Sequence, residues 1–377
     1  MSKIKVVRPK KEKKPREKRE RKPFPKWVLS VAVVVLISAV ALVWALPALP
    51  VKPPSQAQTG YKGVIELWNV EAFEGGSGSR SSWITNKSAK FEKANTGLFV
   101  HVTNLTVTEL ADKLKEGRQF DLICFSRGAG SLIKDYIAPF DESMGFVRDN
   151  FALSGQFDGK QYGVPLYAGA YCLFARSSQL PQDKLVSDAL TATFTRKIGK
   201  NTVELRPLIC GFTQANSPLT ALAMAGLRGD ASYLDESVTQ YQAYEQFVGN
   251  KTAVTLLGTQ RDIFRLGQKE SQSKIDELCF APVAGYTDLV QYLGISKDCQ
   301  DKRQSCIEYV KYLLSEETQA SLVNLNMFSV LDKPIYPSNA RMSACEQALA
   351  SAFVPNAFVD GDVIANQRQT AKSTLKI

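Results

Sequence analysis

Polar and aromatic side chains that could bind a small molecule follow a short apolar run near the start of the folded part. Residues 63–70 are rich in β-branched and apolar side chains, which predicts a strand, and a glycine- and serine-rich loop follows. Ser81 or Ser82 is placed to cap the next predicted helix, and Gly97 to end it. A strand, loop and helix in this order form the ligand-facing corner of an open α/β sheet. The candidates for contact with a solute at this corner are Glu71, Glu74, Arg80 and Trp83.

Two further loops occupy the same position after predicted strands. Residues 120–125 and residues 253–257 are both short apolar runs that end in polar loops. The first two strand–loop–helix units follow one another directly, which indicates parallel strands joined by right-handed crossovers. The polar residues of these two loops are Ser126, Arg127, Thr259, Gln260 and Arg261.

Catalytic chemistry finds little support in the sequence. The single histidine, His101, lies in a predicted strand, and no Gly-x-Ser-x-Gly elbow occurs. The glycines of residues 75–78 do not have the spacing of a dinucleotide or phosphate loop. A glycosidase with two carboxylates stays open, because the distance between two carboxylates in space is invisible in a sequence. We expect a binding protein with no catalytic residue, no metal and no cofactor, which would return an oligosaccharide unchanged.

The seven cysteines show no pairing motif for zinc, since no Cys-x-x-Cys occurs. Cys299 and Cys306 would close a short disulfide loop in an oxidising compartment. On one continuous helix, however, seven residues span about 10 Å, which is too far for that bond. The odd number leaves at least one thiol unpaired. Four others lie in apolar runs and are interpreted as small core residues: Cys124, Cys172, Cys210 and Cys279.

The positive charge of the chain is concentrated at its start. The formal net charge is +10, from 47 Lys and Arg against 37 Asp and Glu. Residues 1–26 hold thirteen of the basic and three of the acidic residues, so the remaining 34 of each sign cancel. The folded part is therefore neutral, and we expect no nucleic-acid partner.

An uncharged run of twenty residues, 27–46, follows the basic tail. Its length predicts one transmembrane helix, and the basic residues 1–26 place the amino-terminal side in the cytoplasm. Residues 47–59 form a proline-rich tether, so the bulk of the chain is expected outside the cell. The alternative is a cleaved secretory signal. A retained helix is favoured, because the apolar run is long and Pro47 and Pro50 fit a cleavage site poorly.

The remaining patterns predict a mixed chain of helices and strands. Thr106 and Glu109 have the spacing of a capping box, and Asp158-Gly159 predicts a hairpin turn. Pro165 suits a sheet edge or a crossover between domains better than a central strand. Further predicted elements are helices at 217–227, 233–248, 302–323 and 344–353 and strands at 279–283 and 288–293.

Several short motifs occur in a familiar order. They are Ile65-Glu-Leu-Trp68, Phe91-Glu-Lys, Phe120-Asp-Leu-Ile, Gly159-Lys-Gln-Tyr-Gly-Val-Pro165, Gly258-Thr-Gln-Arg-Asp262 and Val310-Lys-Tyr-Leu-Leu-Ser-Glu-Glu-Thr-Gln319. In this order they resemble the bacterial extracellular solute-binding proteins of family 1. That family is the maltodextrin-binding-protein-like group that delivers solutes to ABC importers, and the likeness covers roughly residues 60–331.

The resemblance implies an α/β, two-lobed periplasmic-binding-protein-like fold (type 2), here preceded by one transmembrane helix. Residues 60–165 and about 281–314 would form lobe 1, and residues 166–280 and about 315–377 would form lobe 2. In such folds the solute lies in the cleft between the lobes, at the carboxyl ends of strands, and the lobes close on it by hinge bending.

The resemblance also places residues in this cleft. Sugars would be bound by aromatic faces and by planar side chains that pair with hydroxyls. The chain departs from the family at two points, since it has no lipobox cysteine and carries Thr259 where a tryptophan is frequent. An alternative ligand is therefore a carboxylate or phosphate held by Arg80, Arg127 and Arg261. The ligand-binding residues implied are Glu71, Glu74, Arg80, Ser126, Arg127, Tyr167, Tyr171, Thr259, Gln260 and Arg261, with Asp288 and Tyr286 as weaker candidates.

The function implied is that of a membrane-anchored extracytoplasmic protein that captures a small solute, with a carbohydrate favoured, for an ABC permease. Its expected location is the cell membrane, with a single pass and an extracellular globular domain. The alternative is a ligand sensor or an envelope interaction module with the same fold and no role in transport.

Overall fold

The computed structural model describes residues 60–73, 76–141, 147–249 and 253–375, without the side chain of Ile198. All of these residues belong to one compact unit of the chain, Gln56–Ile377. The predicted cytoplasmic tail, transmembrane helix and tether (residues 1–59) lie outside the described residues. Among the helices that are described, none is both long enough and apolar enough to cross a membrane.

The described strands alternate with helices along most of the chain. The strands are β1 (Gly63–Val70), β2 (Leu98–Leu105), β3 (Leu122–Ser126), β4 (Ile137–Ala138), β5 (Gln156–Phe157), β6 (Lys160–Gln161), β7 (Val164–Ala168), β8 (Tyr171–Arg176), β9 (Phe194–Ile198), β10 (Asn201–Cys210), β11 (Ala253–Thr259), β12 (Leu278–Pro282), β13 (Val290–Ser296) and β14 (Phe328–Ser329).

The α-helices are α1 (Arg80–Ala94), α2 (Val107–Lys115), α3 (Arg127–Ile133), α4 (Asp149–Ala152), α5 (Leu185–Asp188), α6 (Pro218–Met224), α7 (Gln240–Val248), α8 (Gln260–Ser271), α9 (Arg303–Leu313), α10 (Glu316–Ala320), α11 (Ala340–Ala350) and α12 (Gly361–Leu375). Short 3-10 turns precede or extend several of them, among them Gln300–Lys302 before α9 and Ser321–Leu325 after α10.

The first sheet has the order β14-β7-β13-β3-β1-β2, and β4 also pairs with β13. Strand β1 is parallel to β2 and to β3, as the successive strand–loop–helix units of the sequence predict. Strand β13 is antiparallel to both β3 and β7, although it comes from a much later part of the chain. Buried side chains such as Trp68 and Phe120, whose rings are tilted at 46° with centroids 5.1 Å apart, form the core beside this sheet.

The second sheet has the order β12-β8-β11-β10-β9. Strand β8 lies antiparallel between β12 and β11, while β10 and β11 are parallel. In each sheet, the first strand after the chain arrives from the other sheet is antiparallel to its neighbours. This strand is β8 in the second sheet and β13 in the first. The chain passes from β7 to β8 over residues 169–170 and returns from β12 to β13 over residues 283–289.

A third segment, residues 351–360 between α11 and α12, runs beside the second passage. The backbone N–H of Phe353 donates to the carbonyl oxygen of Gly285 (3.0 Å), and that of Ala357 donates to Ser154 of the first lobe (2.8 Å). These connections join the two sheets into a two-lobed α/β protein, and this part of the predicted fold is confirmed. The residue limits given above for each lobe stay a prediction.

The structure confirms some of the predicted caps and turns and corrects others. The capping box of Thr106 and Glu109 is present, and Asp158 and Gly159 form the turn between β5 and β6 with φ angles of 50° and 70°. The cap of α1 was misplaced, because Ser79, and not Ser81 or Ser82, accepts the hydrogen bond from the backbone N–H of Ser82.

The single long helix predicted over residues 302–323 is wrong. Helix α9 ends at Leu313, and the side chain of Ser315 accepts from the backbone N–H of Thr318 to start α10. A serine that caps a new helix competes with continuation of the old one, so the apolar pattern runs on while the helix axis is interrupted.

The cysteines bear out one prediction and correct another. Cys124, Cys172, Cys210 and Cys279 are all buried core residues. Cys299 and Cys306, however, do not lie on one continuous helix, since Cys299 precedes the 3-10 turn Gln300–Lys302 that leads into α9. Their sulfurs are in hydrogen-bond contact, and this contact lowers the pKa of the Cys299 thiol below its usual value. The distance argument, which holds only for one continuous helix, therefore does not apply to this pair, and both thiols are free in the structure.

Candidate functional site

Four strands direct polar residues to the region where the two sheets exchange strands. Glu71 follows the end of β1, Ser126 ends β3, and Thr259 ends β11. Tyr167 lies near the end of β7, just before the first passage. Because the carboxyl ends of parallel strands meet at one edge of a sheet, Glu71, Ser126 and Tyr167 lie at the same edge of the first sheet, whereas Thr259 ends a strand of the second sheet.

A buried ion pair joins the lobes at this place. A guanidinium nitrogen of Arg127, at the start of α3, lies 3.4 Å from a carboxylate oxygen of Asp288, and both side chains are almost completely buried. Asp288 also accepts from the Tyr171 hydroxyl (2.6 Å), the Tyr286 hydroxyl (3.0 Å) and the backbone N–H of Ser217 (2.6 Å). A buried charge is tolerated only with this kind of partner set.

The members of this ion-pair network come from distant parts of the chain. Arg127 belongs to the first lobe, Tyr171 starts the second sheet, and Asp288 lies on the second passage between them. Gln367 of α12 also accepts a hydrogen bond from Arg127. We call Arg127, Tyr171, Tyr286, Asp288 and Gln367 the hinge cluster.

Burial keeps the two tyrosines of the hinge cluster protonated. It raises the pKa of Tyr171 well above the usual value for a phenol, and the neighbouring Asp288 carboxylate raises that pKa further. The pKa of Tyr286 is raised for the same two reasons. The Tyr171 and Tyr286 hydroxyls therefore stay protonated and donate to the Asp288 carboxylate.

A second arginine site lies on the first loop. Arg80 donates to the Glu71 carboxylate (3.0 Å) and to the carbonyl oxygen of Phe73 (2.6 Å). The edge of the Trp83 ring meets Tyr167, with centroids 6.1 Å apart. Arg80 is buried, whereas one third of the Glu71 side chain is exposed. We call Glu71, Arg80, Trp83 and Tyr167 the rim cluster.

Four buried polar atoms near these clusters have no hydrogen-bond partner within the described part of the chain. They are Arg80 Nη1, Ser126 Oγ, Arg127 Nε and Gln291 Oε1. Gln291 lies opposite both Ser126 and Tyr167 in the first sheet, so at least three of the residues concerned are neighbours. Buried polar atoms in folded proteins nearly always have partners, and unpartnered ones require an explanation such as a bound molecule or water.

Gln260 contacts the first passage between the lobes, and its ligand-binding role stays a prediction. Its side-chain oxygen accepts from the backbone N–H of Ala170 (2.9 Å), and its backbone N–H donates to the Ala170 carbonyl oxygen (3.0 Å). Its side-chain nitrogen contacts the sulfur of Met327 (3.2 Å). Gln260 is completely buried, and it fixes the first passage between the lobes.

Other predicted residues are placed as follows. The backbone N–H of Thr259 donates to Asp262 (3.0 Å) at the start of α8, and its side chain is buried. Arg261 is half-buried on the first turn of the same helix. Glu74 lies outside the described residues. The ligand-binding role of each of these residues, and of the two clusters, stays a prediction.

Several residues of the hinge cluster's surroundings escaped sequence analysis. Gln367 is on α12, which carries few apolar residues and was not predicted as a helix. Ser217 and Asn216 reach Asp288 from the start of α6. Gln291 was detectable, because it is a lone amide in an otherwise apolar predicted strand, and such a residue needs a buried partner.

Metal binding receives no support from this geometry. Among residues 60–73, 76–141, 147–249 and 253–375, no three His, Cys, Asp or Glu side chains are grouped so that they could hold a metal ion.

The two sheets and the strands exchanged between them define a two-lobed α/β fold. No family model matches the chain, and no curated protein matches its sequence. Solved structures do match. The GacH receptor of Streptomyces glaucescens, studied with acarbose, shares 14% identity at a TM-score of 0.58, over 84% of this chain and 93% of its own.

Two maltose-related proteins are similar to the same degree. The sugar-binding protein MalE of Xanthomonas citri shares 16% identity at a TM-score of 0.55, over 83% of this chain and 97% of its own. Maltose-bound MalE3 of T. maritima shares 13% identity at a TM-score of 0.57, over 83% of this chain and 95% of its own. At this identity the likeness establishes the fold: the chain has the fold of the maltodextrin-binding-protein-like solute-binding proteins.

Proposed function

We propose that this chain is an extracytoplasmic solute-binding protein that captures a neutral carbohydrate between its two lobes and presents it to an ABC importer. The observation that carries the proposal is the convergence of polar strand ends, Glu71, Ser126, Arg127 and Tyr167, at the place where the two sheets exchange strands. In open α/β folds this is where ligands bind.

The charge of the site favours a neutral solute over an anion. Arg80 is paired with Glu71, and Arg127 with Asp288, at 3.0 and 3.4 Å. Each arginine therefore has its own carboxylate, and neither is left with an excess positive charge for a phosphate or carboxylate ligand. This argues against the alternative in which Arg80, Arg127 and Arg261 jointly bind an anion.

The remaining groups suit a sugar. Trp83 and Tyr167 offer aromatic surfaces next to Arg80 and Glu71, whose planar groups can pair with adjacent hydroxyls. Within the described residues, Arg80 Nη1 is an unpartnered donor and Gln291 Oε1 an unpartnered acceptor, and sugar hydroxyls can bind to both kinds of group. The similar solved proteins bind maltose, maltodextrins or acarbose, which agrees with this chemistry.

A solute must enter by opening of the lobes. Arg127, Tyr171 and Asp288 are at most 2% exposed, so no solute reaches them in the closed arrangement. Rotation about the three connecting segments would expose the rim cluster first, because Glu71 already reaches solvent. Hinge closure around a ligand is a common movement of two-domain binding proteins.

A thermal-shift screen of the full chain tests the proposal. The neutral probes are maltotetraose and mannotriose, and the matched charged probes are glutamate and inorganic phosphate. A solute at 100 times its dissociation constant adds about 2.7 kcal/mol to the free energy of unfolding, which raises the Tm by several degrees. We expect a rise with a neutral oligosaccharide, and chromatography should then recover it unchanged, because a binding protein does not convert its ligand. A rise with phosphate or glutamate alone would contradict the neutral site.

The second candidate function is a sensor or envelope interaction module with no transport role. It is favoured by one observation, that Asp288 accepts hydrogen bonds from Tyr171, Tyr286 and Ser217 and so joins segments of both lobes. A protein whose lobes never open would present a rigid surface. If the folded chain shows no rise in Tm with any probe of the panel, this candidate is favoured. Permease genes that adjoin its gene would favour transport.

Membrane anchoring and an extracellular location belong to the same proposal and depend on residues 1–59. They are supported by the uncharged run at 27–46 and the basic residues before it. Protease treatment of intact cells should degrade the globular part and leave the amino-terminal tail protected. Protection of the whole chain would contradict this topology.

A further inference from the structure

Two cysteines that are distant in sequence meet inside the second lobe. Cys172, the second residue of β8, and Cys345, in α11, have their sulfur atoms 3.6 Å apart. The residues are separated by 173 positions along the chain, and both side chains are completely buried. The contact is therefore made by the tertiary fold and not by proximity along one local segment.

The contact is close to the geometry of a covalent bond. Sulfur atoms in a disulfide are about 2.05 Å apart, so the two sulfurs must approach by roughly 1.6 Å. Rotation of the two side chains about their Cα–Cβ bonds, together with small backbone shifts, would have to supply this movement. Cys210, which is equally buried, supplies a comparison, because it contacts no other thiol among the described residues.

The environment decides when the bond can form. Burial raises the pKa of the Cys172 thiol well above its usual value, and the hydrogen bond with Cys345 raises it further. The thiolate is the form that reacts, so the folded and reduced protein reacts slowly. Oxidation must take place while the chain folds, when the thiols are still accessible.

We propose that Cys172 and Cys345 form a structural disulfide as the chain folds in the presence of a disulfide oxidant. One thiolate attacks the disulfide of the oxidant, R–S–S–R, and releases one thiolate R–S⁻. The second cysteine thiolate then attacks the mixed disulfide and releases the other R–S⁻. Two electrons pass from the cysteines to the oxidant, and the two protons of the cysteines end on the released thiols.

The bond would tie together two parts of the hinge. Strand β8 follows the first passage between the lobes, and α11 precedes the third connecting segment at residues 351–360. A cross-link between them closes a very long loop, which restricts the unfolded chain. In the cell the inference rests on the proposed extracytoplasmic location, since disulfides persist in oxidising compartments.

Refolding with a defined oxidant tests the proposal. The full chain is unfolded and reduced, then refolded with oxidised and reduced glutathione. It is next alkylated with N-ethylmaleimide in denaturant and digested without reductant. We expect one linked peptide pair that contains Cys172 and Cys345, and a Tm about 5 °C or more above that of the reduced protein.

Variants and the unchanged chain keep the result decisive. Cys172→Ser and Cys345→Ser should each abolish the effect of reductant on the Tm, whereas the matched control Cys210→Ser should retain it. If the serine variants do not fold, the peptide map of the unchanged chain decides. Recovery of both cysteines as maleimide adducts from refolded protein, or their linkage to other cysteines, would overturn the proposal. Neither readout involves a sugar, so solute binding can fail or succeed independently.

Discussion

The two arginine sites of the interlobe region differ in how their carboxylates meet solvent. The Arg127–Asp288 pair is sealed, with side chains 2% and 0% exposed. In the Arg80–Glu71 pair the arginine is buried, but a third of the carboxylate side chain is exposed. The hinge cluster also draws partners from both lobes, whereas the Arg80–Glu71 pair belongs to the first loop and α1.

This difference separates two tasks that sequence analysis assigned to one cleft. A charge pair that is completely buried stabilises a fold only as a complete unit, because loss of one partner leaves an unpaired buried charge. A pair that still touches water can exchange water for a sugar hydroxyl at small cost. We therefore propose that the hinge cluster holds the lobes together and that the rim cluster contacts the solute.

The largest expected effect comes from breaking the sealed pair. Asp288→Asn leaves Arg127 without its counter-charge, so the free energy of unfolding should fall by about 3–5 kcal/mol in urea titrations. The double replacement Arg127→Met with Asp288→Leu is the matched control. It removes both charges and should recover much of the loss. If Asp288→Asn lowers the free energy of unfolding by less than about 1 kcal/mol, the Arg127–Asp288 pair does not differ from the Arg80–Glu71 pair as proposed.

An intermediate effect on the free energy of unfolding is expected at Gly130, one turn after Arg127 in α3. A Cβ atom on Gly130 would lie 1.9 Å from the carbonyl oxygen of Ala357, in the third connecting segment. Gly130→Ala must therefore move backbone, and we expect a loss of about 1–3 kcal/mol in the free energy of unfolding. The matched control is Gly267→Ala in α8, where no atom lies within 4 Å. It should gain up to about 1 kcal/mol. Equal effects of the two changes would show that the third segment is not held against α3.

The smallest effect on stability, and the largest on affinity, is expected at the rim. Glu71→Gln keeps the shape of the side chain but removes its charge, and solvent already screens this pair. The free energy of unfolding should change by less than about 1 kcal/mol. Affinity for the oligosaccharide found in the screen should fall about tenfold, since a charge-assisted hydrogen bond is lost. Glu66→Gln, which removes an exposed pair with His101, is the control and should change neither quantity.

The sequence predicted the part of the site that depends on short-range order. Glu71, Ser126 and Arg127 follow apolar strands directly, so their place at the sheet edge follows from strand direction alone. Gln367 could not be found in this way. It reaches Arg127 from a helix 240 residues further along the chain, and that helix shows only a sparse apolar face.

The sequence also could not separate solute contacts from structural contacts. Thr259 and Gln260 occupy the same position after a strand as Ser126 and Arg127 do. Gln260 nevertheless uses its amide to bind Ala170, at the first passage between lobes. The partner of a polar side chain depends on the tertiary arrangement. A position at the end of a strand fixes only where its Cα atom lies. The cap at Ser79 was misplaced because Ser81 and Ser82 lie beside it, and the helix over 302–323 is divided because Ser315 caps a new helix.

The most direct test of the account is calorimetric titration of the full chain with maltotetraose at low and high salt. The account predicts saturable binding whose affinity changes by less than about twofold with salt, because the solute is neutral and each site arginine has its own carboxylate. Absence of binding by maltotetraose and every other neutral oligosaccharide, together with salt-sensitive binding of an anionic solute, would contradict it.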